Sequence, residues 1–169
     1  TFHHSYMSWI DATLQAAMSC EYLIMMAKEL GITDDVDALR DEYDNLVRFV
    51  NEKMWSEKDG FYYDLKADGS FLAVKTVAAF WALIAKIAPP ERVDALCRHL
   101  EDKNEFNRPN RVPALSADHP DYKDNGGYWN GGVWAPTNYM VLCGLSANGK
   151  EKLAKDIAEC CYKNCIEVY

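Results

Sequence analysis

Most of the motifs that announce a function are missing from this sequence. It has no GxSxG elbow, no HExxH helix, no phosphate-binding P-loop and no dinucleotide fingerprint. Basic residues are also short: 18 Lys and Arg stand against 26 Asp and Glu, giving a net charge of −8. They are scattered rather than gathered in a stripe, so the field repels phosphate backbones and anionic lipid heads, which argues against nucleic acid and membrane as partners. Long apolar runs are absent too. Ala78–Ala85 is too short to span a bilayer, and the opening "TFHHSYMSW" lacks the basic-then-apolar order of a signal peptide. A chain that begins at Thr1 without Met is expected to have lost some of its context.

The six cysteines (Cys20, Cys97, Cys143, Cys160, Cys161 and Cys165) form no CxxC and no zinc-ligand spacing. The sharper reading is a thiol or metal site at Cys160, Cys161 and Cys165. The better one is a set of reduced thiols at apolar helical positions, which mildly favours a reducing compartment. Cytoplasm and periplasm both stay open. His3-His4 has no matching ligand spacing and reads as a chain end rather than a metal site. No cofactor or metal is expected. His99 falls on the polar side of a helical stretch and reads as solvated, while His119, between Asp118 and Pro120, reads as a turn cap or a ligand contact.

What is present is a helical alternation. With 49% hydrophobic residues and 26% charged, the 169 residues suit one globular core, read as a single domain over 1–169. Ser8–Leu30 is apolar nearly all round and reads as an inner helix covered on both sides. Val36–Trp55 carries one stripe at 3.6 spacing (Val36, Leu39, Tyr43, Leu46, Val47, Val50, Met54) and reads as an outer helix, with Thr33 or Asp34 as N-cap. The pattern repeats: Ala73–Ala88 is inner and Glu91–Asp102 outer, then Val133–Ala147 is inner and Lys150–Val168 outer. Inner helices thus recur at roughly 60–65 residues. The expected fold is all-α, a toroid of three inner–outer helical hairpins.

The connections are unequal. Within each pair they are short (Gly31–Asp35, Pro89-Pro90, Asn148-Gly149); between pairs they are long (Ser56–Leu72 and Lys103–Gly132), and both long links must emerge on one face. The first is expected to form a small β-hairpin around Asp68-Gly69. Long links without helical pattern mark the working face. They bring the residue mixture that sugars need, aromatic planes for C–H faces and polar groups for hydroxyls. One link supplies Phe61, Tyr62, Tyr63 and Asp64, the other Phe106, Asn107, Arg108, Asp118, Tyr122, Tyr128, Trp129, Asn130 and Trp134. Pro136 fits the first turn of the third inner helix. Two readings of Trp129 and Trp134 stay open from spacing: sugar platforms, or plugs over the top of the helical core. Gly126, Gly127, Gly131 and Gly132 fit turn geometry and match no phosphate loop.

Three stretches together resemble a known family. "GGYWNGGVWAPTNYMVLCGL" (126–145) is similar to the YW-x-G-x-x-W-x-x-x-NY stretch of the inverting glycosidases of the trehalase and processing α-glucosidase group, glycoside hydrolase families 37 and 63. "MWSEKDGFYYD" (54–64) resembles their W-x-x-x-x-G-x-Y-x-D hairpin and "FNRPNRVPALSADHPDY" (106–122) the loop that leads into the YW motif, in the same order. These families fold as an (α/α)6 barrel, so the resemblance implies that three hairpins are part of one, about half. It also implies a general acid Asp before the segment like Tyr6–Leu30 and a general base Glu after Lys150–Tyr169, both outside this chain. What carries over is substrate contact: Trp129 as sugar platform, with Tyr128 and Asn130 beside it, and Trp134, Tyr62, Asp64 and Asp118 completing the candidate set. Asn130 stands where many processing-glucosidase relatives have Arg, so the subsite differs in charge.

The leading expectation is a piece of an inverting glycosidase acting on α-glucosides such as trehalose or an oligosaccharide end, inactive by itself. A second is a non-catalytic carbohydrate-binding or self-assembling half-toroid, its exposed barrel edges driving self-association. A third, a terpenoid cyclase or prenyltransferase relative, needs an Asp-rich metal motif or zinc ligands that the sequence lacks.

Overall fold

The computed structural model describes residues 6–168, so the His3-His4 reading lies outside the described residues. The chain is mostly helical. α1 (Ile10–Leu30) ends at Gly31, which takes the left-handed conformation (φ 66°) and caps the last turn through Ala27 and Lys28 carbonyls. α2 (Val36–Phe49) follows and runs into a π-helical turn, Val50–Met54. Its N-cap is Asp35 rather than Thr33 or Asp34. Asp35 adopts φ 63° and makes no side-chain cap bond, because the turn closed by Val36 N–H on the Thr33 carbonyl already sets the entry angle.

Two hairpins occupy the first long link. β3 (Asp64–Leu65) pairs with β4 (Phe71–Leu72) around Asp68-Gly69, as the alternation predicts. The other, β1 (Trp55–Ser56) with β2 (Phe61–Tyr62), is the hairpin that the resemblance of residues 54–64 implies. Asn51 in the π-turn explains its seat. Its Oδ1 accepts from the Tyr62 hydroxyl at 2.7 Å and from Arg92 at 3.0 Å, and Arg92 lies over the Trp55 ring.

The second inner helix is far shorter than Ala73–Ala88. A 3-10 turn, Val77–Phe80, leads into α3 (Trp81–Ile84), and left-handed Lys86 (φ 54°) stops the helical run before Pro89-Pro90. Thr76 is extended because it bridges Leu115, while the Lys75 carbonyl accepts from Ser116 and Val77 donates to the Ala114 carbonyl. The second long link thus claims backbone groups that a longer helix would use. α4 (Pro90–Glu101), α5 (Ala135–Ala147, with Pro136 in its first turn) and α6 (Glu151–Val168) complete three inner–outer pairs. Among the described residues no helix is long and apolar enough to cross a membrane.

The core lies between the helices and under the long links. Phe61, Phe80 and Phe106 are fully buried, their ring centroids 5.0–6.1 Å apart, and His99 meets the Phe61 edge at 4.9 Å. α5 crosses α3 closely: a Cβ on Gly144 would sit 2.7 Å from the Leu83 Cβ. α1 departs from its expected setting. Ile10, Leu14, Ala17 and Cys20 are buried, while Tyr22, Leu23, Met25, Met26 and Leu30 are exposed, so one flank of this inner helix is open.

Candidate sugar-binding mouth

Backbone bonds lace the N-terminal ends of the inner helices into one platform. Ser8 and Leu65 exchange two bonds of 2.9 Å ahead of α1. The segment Ala114–Ser116 lies between Lys75–Val77, ahead of α3, and Gly132, whose carbonyl accepts from Ala114 at 2.8 Å. Lys123 then donates to the Asn130 carbonyl at 2.7 Å. Both long links and three helix entrances therefore share a face.

At α5 the motif makes an aromatic stack. Tyr128, Trp129 and Asn130 form a 3-10 turn entered from Gly127, and Tyr128 itself is left-handed (φ 59°). The tight return needs Gly132, where a Cβ would lie 2.4 Å from the Tyr128 carbonyl oxygen. Trp134 packs on the core, and its buried indole N–H has no partner among the described residues. Trp129 stacks on it, centroids 5.2 Å apart, and Tyr128 meets it edge-on at 5.4 Å. Trp129 is 48% and Tyr128 71% exposed, so the stack has a supported underside and an open top.

Lys75 is the charged centre of the mouth. Its ammonium lies 2.7 Å from Asp118 Oδ2 and also binds Glu105 Oε1; Glu105 Oε2 binds Nδ1 of His99. Nε2 of His99 faces the Asp59 and Gly60 carbonyls at 3.0 and 3.2 Å. Burial works against charge on Lys75, yet the two carboxylates hold its proton well above the ordinary lysine range. Burial would likewise raise Asp118, but the Lys75 ammonium beside it holds its carboxyl below the usual value.

The candidate residues divide. Trp129, Tyr128, Asn130 and Trp134 come together, with Asp118 on the same laced platform. Tyr62 does not belong: it is 1% exposed, its hydroxyl donates to Asn51, and burial pushes it up to about 12. Phe61, Tyr63 and Phe106 are likewise core. Asp64 Oδ1 accepts from the Ile10 N–H at 2.8 Å at the start of α1, and burial raises its carboxyl despite that bond. His99 is half-buried and hydrogen-bonded rather than solvated. His119 accepts from the Asp121 N–H at 3.1 Å, capping a turn.

Sequence reasoning missed Lys75, Glu105 and His99. Lys75 is the one charge between Ala73 and Ala85, a place where an ammonium needs buried acceptors, and His99 lies one turn after buried Ala95. The cysteines are free; Cys161 accepts from Asn138 at 2.9 Å and burial raises Cys97 to about 11. Among the described residues no His, Cys, Asp and Glu cluster is suited to a metal ion. A cavity of about 930 Å³ opens beside the motif, lined by Arg108, Asn138, Tyr139, Leu142, Asn164 and Cys165, but not by Tyr128, Trp129 or Trp134. Its walls are α5 and α6 together with the second long link, including Tyr122, Asp124, Gly126 and Gly131.

Three inner–outer helix pairs, with loops and aromatic residues gathered at the entrances of the inner helices, define the class: part of an (α/α)6-barrel glycosidase domain. Residues 1–166 match the family model described as the mannosylglycerate hydrolase MGH1-like glycoside hydrolase domain, and the chain belongs to that family. A mannosylglycerate hydrolase of Thermus thermophilus is 35% identical over 105 residues, covering 61% of this chain and 25% of that protein. Among solved structures, the family 63 mannosylglycerate hydrolase of Thermus thermophilus in complex with glucose aligns with a TM-score of 0.82 at 22% identity, over 90% of this chain and 38% of that one. Neutral trehalase of Saccharomyces cerevisiae aligns with a TM-score of 0.77 at 17% identity, over 92% and 31%. The chain therefore spans well under half the length of these relatives.

Proposed function

We propose that this chain is the sugar-binding part of an inverting glycosidase for α-linked sugars, its general acid and base supplied by polypeptide outside residues 1–169. The carrying observation is Trp129, half-exposed at the mouth and backed by Trp134 in a domain of this family. The Trp129 plane takes the C–H face of a terminal sugar, Tyr128 closes one side, and Asn130 and Asp118 take hydroxyls, with Lys75 holding Asp118 ionised as an acceptor. An inverting reaction needs two carboxyls set roughly 6.5–9.5 Å apart across the bond, with a water between one of them and the sugar. Asp64 is engaged at the start of α1 and Asp118 is paired with Lys75, so neither is assigned that chemistry.

The sequence motifs favour an α-glucoside, trehalose or an oligosaccharide end. The family model and the Thermus relative support a second substrate reading, an α-mannoside of a small hydroxy acid. Titration of intrinsic tryptophan fluorescence with glucose, mannose, trehalose and mannosylglycerate separates the two. We expect a saturable change with one of them that Trp129→Ala removes, and no hydrolysis of any by residues 1–169 alone. No response to any of the four, or a response that survives Trp129→Ala, overturns the binding assignment; turnover by the isolated chain overturns the placement of the acid and base.

A further inference from the structure

His99 stands behind the charged centre of the mouth, near the end of α4, with its ring edge-to-face against buried Phe61. Nε2 lies 3.0 Å from the Asp59 carbonyl oxygen and 3.2 Å from that of Gly60. A carbonyl can only accept, so Nε2 carries a proton. Nδ1 lies against Oε2 of Glu105, and an ionised carboxylate also only accepts. A bare lone pair on Nδ1 would repel that oxygen, so the contact needs a proton of its own. Lys75 already binds Oε1, and an ammonium binds a carboxylate better than a neutral acid, which leaves the ring as the member of the pair that holds the proton.

The other titratable groups around the ring leave its charge to Glu105. Asp59 Oδ2 accepts from the Ser56 hydroxyl at 2.8 Å, and Asp102 Oδ1 from the Asn104 N–H at 2.8 Å. Tyr63 lies among Asp59, Lys75, Asp118 and Glu105, and burial pushes its hydroxyl up to about 12, so it stays neutral. The cations His99 and Lys75 therefore balance the anions Glu105 and Asp118 one for one. Without the Nδ1 proton, Glu105 Oε2 loses its partner in a site too buried for water to replace it. Lys75 is the cation it already touches, and a carboxylate that takes a second N–H of that ammonium competes with Asp118. We infer that His99 is a positioning residue of the sugar site: protonated on both ring nitrogens, it fixes Glu105 from behind, so that Lys75 keeps an N–H for Asp118 and Asp118 keeps its place as an acceptor. His99 itself touches no sugar, and its role rests on the binding assignment above.

The test follows the ring and the sugar together. Nitrogen NMR of ring-labelled histidine counts the protons on His99, whose signals are those missing from His99→Gln. Tryptophan fluorescence titrated with glucose, mannose, trehalose and mannosylglycerate at each pH gives the dissociation constant. We expect both His99 nitrogens to be protonated wherever sugar binds tightly. Affinity should fall about tenfold, the worth of one lost hydrogen bond, as rising pH removes the Nδ1 proton. Glu105→Gln offers Lys75 an oxygen and Nδ1 an N–H, so it should leave the ring with its Nε2 proton alone and flatten the pH profile, which a mere packing role for His99 does not predict. A ring protonated only at Nε2 while sugar binds, an affinity that does not follow the ring's titration, or a Glu105→Gln profile like the parent's overturns the positioning role and leaves the binding assignment standing. No response to any of the four sugars at any pH overturns the binding assignment itself, and the positioning role with it.

Discussion

The indole of Trp129 lies over that of Trp134, planes 28° apart and centroids 5.2 Å apart, so the exposed ring rests on one that the core holds. Preorganisation of this kind lets a platform bind without first ordering itself. We expect Trp129→Ala to remove sugar binding with little change in stability, since the ring is half-exposed. Trp134→Ala should weaken binding and also lower stability by about 2–4 kcal/mol through the cavity it leaves. Thermal melts paired with sugar titration check this; a Trp134→Ala protein that binds like the parent would mean that the stack does not support the platform.

Lys75 joins Glu105 and Asp118, and Glu105 is 7% exposed. Removing the ammonium leaves a buried carboxylate with only His99 for company. We expect Lys75→Met to destabilise the fold by about 2–4 kcal/mol, and Lys75→Met combined with Glu105→Gln to recover much of that loss, because a buried charge without its partner costs more than a neutral pair. Urea denaturation of the four proteins in the cycle measures the coupling. Additive losses would show that the two side chains do not act as a pair.

The helix pairs, their order and the loop-bearing face were legible in the sequence because apolar periodicity reports burial directly. Pro136 marked the start of α5 for the same local reason: its missing N–H is tolerated only in a first turn. Where the reading failed, partners distant in sequence decided the outcome. Ala73–Thr76 has helical composition, but Ala114–Ser116 claims its backbone. Tyr62 and Tyr63 look like loop aromatics, yet β2 turns Tyr62 toward Asn51 and the following Tyr63 toward Phe71. His99 looks polar on a helical wheel until Glu105, six residues on, folds back against it. The candidate site was half visible: its aromatic residues stand in a contiguous motif, whereas its charged centre is assembled from Lys75, Glu105 and Asp118.

Asp64 accepts the Ile10 N–H at 2.8 Å, and burial raises its folded-state pKa above 3.8. A carboxyl raised on folding binds a proton more readily in the native state than in the unfolded one, so stability falls as pH rises through its titration and the penalty is complete at neutral pH. Asp64→Asn keeps an oxygen to accept from Ile10 and removes that penalty. We expect the variant to match the parent below pH 3.8 and to equal or exceed it at pH 7. Asp64→Ala should instead lose about 1 kcal/mol below pH 3.8 through the missing cap and less than that at pH 7, where it too escapes the penalty. If Asp64→Asn were less stable than the parent at pH 7 alone, the fold would be favouring the ionised carboxylate.

Gly144 tests the crossing that carries the second and third hairpins. A Cβ there would approach the Leu83 Cβ to 2.7 Å and the Ile84 nitrogen to 2.8 Å, and a helix backbone cannot retreat as a flexible side chain can. In an isolated helix, alanine would be favoured over glycine by about 1 kcal/mol. Here the overlap should reverse the sign, so Gly144→Ala is expected to destabilise by about 1–3 kcal/mol. Ser146→Ala, on the exposed face of the same helix, should gain a few tenths of a kcal/mol from propensity. Chemical denaturation of both variants gives the comparison. Stabilisation by both would mean that α5 and α3 lie farther apart than the crossing requires.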